Sequence, residues 1–347
     1  MKKKTIAVIF GGCSSEYLVS LQSSYAVLSN LNADKYDILP IGITKSGRWY
    51  QYLGDSENIL HDEWTNDQEN CIPAILSPES SVHGLLTLKD GTACTIYIDA
   101  AFPVLHGKNG EDGTIQGLIE LAGIPLIGCN TISSAICMDK YRAHTLVGLQ
   151  GIEVPRSVVI KQSDIHLAPH ITKDLKYPLF IKPVKAGSSF GITKAAREAE
   201  LLPAIELAFK YDNEVIIEEN IDGFEIGCAI LGNDKLVVGR LDEIELSEGF
   251  FDFTEKYTLK NSKIHMPARI DQDTEIKIAE TAVQIFKILG CSVFARVDMF
   301  YTPQGKIVFN EVNTIPGFTT HSRYPNMMKG IGLSFENLLD KLIELGI

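Results

Sequence analysis

The sequence predicts an α/β protein of two or three domains, and three observations carry that prediction. The chain has 347 residues, more than a single hydrophobic core usually serves. Apolar β runs such as 5–10 (TIAVIF) and 179–183 (LFIKP) alternate with stretches of helical period such as 18–31 and 271–290. The first β run ends in Gly11-Gly12 and leads into a helical stretch, the way an open α/β sheet presents a ligand site at its strand ends.

Composition bounds the function. Hydrophobic residues make up 45% and charged residues 22%, so a proper core forms and bulk disorder is excluded. The formal net charge of −12 argues against nucleic acid or an anionic membrane as a partner, so any phosphate site must be a local concentration of cations and N–H groups. Seven cysteines with no CxxC pair read as buried free thiols in a reducing cytoplasm. The opening MKKKTIAVIFGG holds an apolar run of residues 6–10 only, which reads as a strand and not a signal sequence. No run reaches transmembrane length.

Taken in order, residues 5–10 form a strand and 18–31 a helix, with Ser14 or Ser15 as N-cap. Glu16 has two readings, an acid favoured by the helix dipole or a ligand group. GGCSSE is not GxGxxG, so a dinucleotide site gains little support. A second strand covers 36–44, residues 55–95 read as polar and irregular, and a third strand runs from 96 to 105. That strand leads into HGKNGEDG, where three glycines in eight residues mark a shaped loop; His106 caps it or serves a ligand. A helix at 116–121 and a strand at 124–127 close the first domain. Next come a helix carrying Met138-Asp139-Lys140 and a buried strand at 179–183 containing Lys182, which must aim at an anion or at solvent. The loop Lys185-Ala186-Gly187-Ser188-Ser189-Phe190-Gly191 wraps phosphate oxygens or is a linker, and it is not a Walker A loop. The strand at 214–219 ends where Glu218, Glu219, Asn220 and Ile221 face a nucleotide base or solvent, with Glu225 placed further on for ribose. Beyond a strand at 236–246, Phe250, Phe251 and Phe253 interleave a polar loop over 247–262, read as a lid or a partner surface. Helices at 271–290 and 333–345 complete the chain.

The most informative stretch is 296–317. Two apolar runs flank the turn Thr302-Pro303-Gln304-Gly305, which reads as a hairpin. A four-residue turn would set Tyr301 opposite Lys306, Asp298 opposite Phe309 and Arg296 opposite Glu311. Period two then gathers Arg296, Asp298, Glu311 and Asn313 on one face and sends Val297, Met299, Val308 and Val312 to the core. Two carboxylates and an amide oxygen are hard ligands suited to magnesium bridging nucleotide phosphates; the competing reading is a solvated face.

The ordered motifs FGGCSSE, HGKNGEDGTIQG, MDK, FIKP, KAGSSFG, VIIEENIDGFE, ARVDMF and FNEVNTIPG together resemble the D-alanine–D-alanine ligase family of ATP-grasp enzymes over nearly the whole chain. The resemblance implies a three-domain ATP-grasp fold: an N-terminal Rossmann-like parallel sheet at 1–130, then α+β domains at 131–222 and 223–347 that clamp ATP. The segment VVGRLDEIELSEGFFDFTEKY is similar to vancomycin-resistance ligases that join D-alanine to D-serine. Lys256-Tyr257 matches the family's lid pair, and relatives that use D-lactate lack that tyrosine. Arg323, beside Ser322, departs from the residue usual in housekeeping enzymes.

By that resemblance ATP phosphorylates a first D-alanine, the amine of a second amino acid attacks the acyl phosphate, and phosphate leaves. Magnesium (two ions, with manganese as a substitute) would sit on Asp298, Glu311 and Asn313. Lys140, Lys182 and Lys256 would hold phosphates with Ser189, while Glu218, Glu219, Ile221 and Glu225 contact adenosine. Glu16 would take the first ammonium, oriented through Ser188 and Tyr257, with His106 near the carboxylate. Arg296 and the Gly317 N–H would stabilise the oxyanion, and Ser322 and Arg323 would address the second substrate. A cytoplasmic homodimer formed through the N-terminal domain is implied as well. The competing readings are a housekeeping D-alanine–D-alanine ligase, an L-amino acid ligase of the same fold, and a nucleotide-binding sensor or NAD-linked oxidoreductase.

Overall fold

Three sheets follow one another along the chain, inside 1–130, 131–222 and 223–347. The structure is a computed structural model that describes residues 2–89, 91–187, 190–246 and 262–347. In the first sheet the strand Lys4–Gly11 lies between Tyr36–Ile43 and Ala100–Pro103 and runs parallel to both. Its residues Ile6 to Phe10 are buried on both faces, which is why they read as an unbroken apolar run. Gly11 has φ +88°, and a Cβ there would stand 2.1 Å from the Ile43 carbonyl oxygen, so only glycine lets the chain turn into the helix Tyr17–Asn30.

The sheet is only partly parallel. Four antiparallel strands, Trp49–Tyr52, Cys71–Leu76, Gly84–Lys89 and Thr92–Tyr97, extend it, the last three from the stretch 55–95 expected to be irregular. The expected strand at 96–105 is split in two, and 124–127 contributes only a parallel bridge between Leu126 and Ala101. The N-cap position of the first helix is Glu16; Ser14 Oγ accepts the Glu16 N–H at 3.1 Å.

The second sheet is antiparallel, with Leu179–Pro183 and Glu214–Glu219 inside and Thr193–Ala195 and Ser157–Lys161 at the edges. In the third, Phe224–Leu231 and Phe294–Tyr301 are central, and Ile307–Asn313 forms one edge. The helix Gln272–Ile288 packs on this sheet, and so do Thr131–Met138 and Lys140–Leu149, which precede the second sheet in sequence. All seven cysteines are free thiols; Cys13 and Cys94 are exposed, against the expectation of burial, because they lie on a loop and an edge strand. Among the described residues no helix is long and apolar enough to cross a membrane.

The second sheet has a core of its own, built around Ile181, Ile205 and Ile217. The first and third sheets instead share one core, where Phe102, Phe294 and Phe318 meet edge to face with centroids 5.6 to 6.0 Å apart. Truncating the middle of that joint should be felt by the whole fold. Phe318→Ala is expected to lose about 3–5 kcal/mol in urea unfolding; a loss under about 1 kcal/mol would show that the joint is not part of the cooperative core.

Candidate active site

The hairpin at the C-terminal edge builds one end of the site. Arg296 pairs with Asn313 and Asp298 with Glu311, but Met299 pairs with Phe309, so Asn310 is the extra residue of a β-bulge. The expected register therefore does not form. Tyr301 faces Ile307 instead of Lys306, because the Thr302 N–H bonds the Lys306 carbonyl and the turn closes one residue later. Without the bulge Asn310 would lie opposite Asp298, and Glu311 would fall opposite Val297 on the core face. The later turn closure sends Phe309 to join Val297, Met299 and Val312 in the core, the place expected for Val308, which pairs with Phe300 on the opposite face.

The four expected polar residues do share a face. Arg296 grips Asp298 through Nε at 2.9 Å and Nη2 at 2.7 Å, and Asn313 Nδ2 donates to Asp298 Oδ2 at 2.9 Å. Asp298, Glu311 and Asn313 thus offer hard oxygens from paired positions, a donor set that suits magnesium. Among the described residues no group of three or more His, Cys, Asp or Glu side chains is placed to hold a metal, so an ion here would need oxygens from outside this set to complete its shell.

Arg323 opens the helix Arg323–Lys329 and is buried among acids. It forks onto Asp242 at 2.9 and 2.7 Å, reaches Glu225 at 2.8 Å, and lies 3.4 Å from Asp298. Its pKa is raised although burial opposes the charge, because Asp242, Asp298 and Glu225 surround it. A Cβ on Gly227 would stand 2.3 Å from this guanidinium, so the strand needs glycine at that point. Arg323 and Glu225 thus meet each other, although one was expected at the second substrate and the other at ribose. Ser322 stands at the N-cap position without a side-chain cap bond; its Oγ accepts the Thr319 N–H and is close enough to Gly317 that a Cβ there would lie 2.7 Å away.

Between the second and third sheets lies a pocket of about 430 Å³. Lys140, Lys182, Glu218, Glu219, Ile221, Glu225 and Glu311 all line it. Lys182, the lysine of the apolar strand, pairs with Glu218 at 2.7 Å, and Lys140 Nζ donates to the Ala186 carbonyl at 2.7 Å. The pKa of Glu218 stays low despite its burial, chiefly through Lys182 and His144. Glu219 is turned to the side, its carboxylate accepting the Lys176 N–H, and its own N–H bonds the Arg156 carbonyl. Lys256, Tyr257, Ser188 and Ser189, and the lid over 247–261, lie outside the described residues.

At the far end of the hairpin face stand Glu16 and His106. The Glu16 carboxylate fits between two glycines: a Cβ on Gly107 would be 2.3 Å from its Oε2, and one on Gly187 2.8 Å. This brings the glycine loop of the first sheet against the glycine-serine loop of the second. His106 is buried, its Nε2 3.1 Å from Ser23 Oγ, and burial pushes its pKa down to about 4 against the pull of the Ile315 backbone. Sequence reasoning assigned no role to Glu111, which accepts the Gly107 N–H at 2.6 Å. Burial, followed by the nearby Glu16 charge, raises it to about 8, with Glu311 adding and Arg296 opposing. Three carboxylates and one guanidinium thus converge where the first and third sheets meet.

A model described as the D-ala D-ala ligase N-terminus matches residues 5–129, and one described as the D-ala D-ala ligase C-terminus matches residues 146–344. The chain belongs to the D-alanine–D-alanine ligase family. It is an ATP-dependent ligase of D-amino acids, similar to the vancomycin-resistance members of that family. The vancomycin B-type resistance protein VanB of Enterococcus faecalis is 45% identical over 352 residues, spanning 100% of this chain and 99% of the relative. The crystal structure of the VanG D-Ala:D-Ser ligase from Enterococcus faecalis superposes with a TM-score of 0.93 at 64% identity, covering 100% of both chains. The D-alanine–D-alanine ligase from Bacillus anthracis complexed with ATP gives 0.74 at 29% identity, over 99% and 97% of the two chains.

The depressed pKa of His106 makes ligase stability depend on pH in a fixed direction. The unfolded chain protonates near 6.5 and the folded one near 4, so this contribution is complete above pH 6.5 and is lost as pH falls towards 4. At most about 3 kcal/mol should disappear across that window. The difference between wild-type and His106→Asn unfolding free energies, measured across it, should show this slope; parallel curves would refute the assignment.

Proposed function

We propose that this ligase joins D-alanine to D-serine through an acyl phosphate, supplying a D-Ala-D-Ser end for altered peptidoglycan precursors and vancomycin resistance. The observation that carries the chemistry is the pairing of Asp298 with Glu311, beside Arg296, at the rim of a pocket lined by Lys140 and Lys182. The 64% identity to the VanG D-Ala:D-Ser ligase supports D-serine as the second substrate. A housekeeping D-alanine–D-alanine ligase is the second reading, favoured by the family's description and by the Bacillus anthracis relative.

In this proposal ATP lies in the pocket with its phosphates on Lys140 and Lys182, joined by Lys256 and Ser189, and its adenosine along Glu218 to Ile221. Asp298, Glu311 and Asn313 would hold magnesium, which neutralises phosphate charge when bound. Glu16 receives the ammonium of the first D-alanine between Gly107 and Gly187, steadied by Ser188 and Tyr257. His106 stands on the carboxylate side, neutral at physiological pH because it is buried. Arg296 and the Gly317 N–H meet the oxyanion, where one lost donor typically costs about 3–4 kcal/mol of barrier. Ser322, next to Gly317, faces the second substrate, and Arg323 shapes that end while anchored on Asp242. The three-domain division belongs to this proposal, with the helices at 131–149 riding on the third sheet they pack against. So do the cytoplasmic location and a homodimer formed through the N-terminal domain.

Arg296→Ala is expected to abolish ligation while ATP still binds; near-normal turnover would remove the oxyanion assignment. Arg323→Met leaves Asp242 buried without its partner, so about 3–5 kcal/mol of stability should go. Its product ratio, from ATP with D-alanine and D-serine in competition, should shift towards D-Ala-D-Ala. An unchanged ratio would assign the preference to the lid.

A further inference from the structure

His144 lies one turn beyond Lys140 on the helix Lys140–Leu149 and is almost fully buried. Its Nε2 is 2.7 Å from the Asn310 carbonyl, and a carbonyl only accepts, so that nitrogen carries a hydrogen. Its Nδ1 faces Glu218 Oε1 at 3.5 Å, and neither atom has a hydrogen-bond partner among the described residues. A neutral ring therefore opposes its lone pair to a carboxylate oxygen, in a place where an unmade bond costs about 1–3 kcal/mol. A second ring proton would convert that opposition into a charge-assisted bond.

Burial holds the ring's pKa down, with Lys182 and Lys140 adding to it, while Glu218 and the Asn310 carbonyl pull the other way. These groups come from three sides: Lys140 from the ring's own helix, Lys182 and Glu218 from the second sheet, and Asn310 from the hairpin, whose Phe309 ring lies edge-on at 5.4 Å. The helices Thr131–Met138 and Gln272–Ile288 also pack on this helix but bring no charged group to bear on the ring among the described residues. A polyphosphate docked on Lys140 and Lys182 would cancel the two cations that oppose protonation.

We propose that His144 is a positioning residue of the nucleotide site, taking a second ring proton from solvent when polyphosphate docks and then bonding the Asn310 carbonyl and the Glu218 carboxylate together. This rests on the reading of the pocket as the ATP site. Asn310 is the bulge residue that aims Glu311 at Asp298, and the other oxygen of Glu218 holds Lys182. One imidazolium thus ties the phosphate-binding lysine to the strand that carries the carboxylates.

The test is isothermal titration with magnesium and an imido-bridged, non-hydrolysable ATP analogue, run at neutral pH in buffers of different ionisation heat. Wild-type protein should take up more protons per nucleotide than His144→Gln, which keeps one donor but cannot titrate. In turnover, KM for ATP should rise about tenfold in the variant, with kcat changed far less. Equal proton counts overturn the inference and leave the pocket assignment standing; no saturable binding to wild-type protein overturns both. Should the variant not fold, long-range proton–nitrogen spectra of the wild-type imidazoles decide. One ring passing from the Nε2–H tautomer to the doubly protonated form on adding the analogue supports the inference, and no ring changing overturns it.

Discussion

Asp298 and Glu311 face each other across two neighbouring strands, and like charges in that position repel unless something positive stands between or beside them. Much of the surrounding structure answers this constraint. Arg296 and the Asn313 amide bond Asp298 directly, and Arg323 approaches it from the side while resting on Asp242 and Glu225. Glu311 lines the pocket that also holds Lys140 and Lys182. The same need for a counter-charge appears at Glu111, held up to about 8 by burial and by the neighbouring acids. A site built this way gains from taking in cations, whether a divalent ion at one end or an amino acid's ammonium at the other. That is the balance of charge an amino-acid ligase requires.

The β-bulge turns this constraint into geometry. A plain hairpin with this turn would set Asn310 opposite Asp298 and put Glu311 on the core face; the extra residue brings Glu311 opposite Asp298 while Phe309 stays in the core. A bulge left to itself would be soft. Here the Asn310 carbonyl is bonded by His144, and the Phe309 N–H is bonded to the Glu153 carbonyl. Both anchors lie more than 150 residues earlier in the chain, close to Lys140.

What could be read from the chain alone follows from what each signal depends on. The shared face of Arg296, Asp298, Glu311 and Asn313 was legible because strand alternation is local. The register was not, because the bulge is pinned by His144 and Glu153, which no local pattern links to the hairpin. Lys182 was legible because a lysine in LFIKP demands an anion, and Glu218 supplies one. The antiparallel extension of the first sheet was missed because its strands are short and partly polar, and Thr92–Tyr97 is exposed along nearly its whole length. Asp242 and Glu111 gave no signal because a single acid in a polar stretch looks solvated; only the approach of Arg323 and of Glu16 sets them apart. Arg323 stood out by type, yet its anchoring on Asp242 joins positions 81 residues apart.

The division of the hydrophobic cores shows how such a site can open and close. The first and third sheets are fused through Phe102, Phe294 and Phe318, and the helices at 131–149 are fused to the third sheet as well. The second sheet keeps a separate core, and polar contacts such as Lys140 to Ala186 and His144 to Glu218 lie between it and the rest. Moving it as a body would break few apolar contacts, whereas separating the first sheet from the third would expose a shared aromatic core. The lower-cost motion is therefore the one that widens the pocket holding Lys182 and Glu218 against Glu311. Phosphate docked on Lys140 and Lys182 would bridge the two sides by charge, so the ligand itself would supply the attraction that the cores leave out.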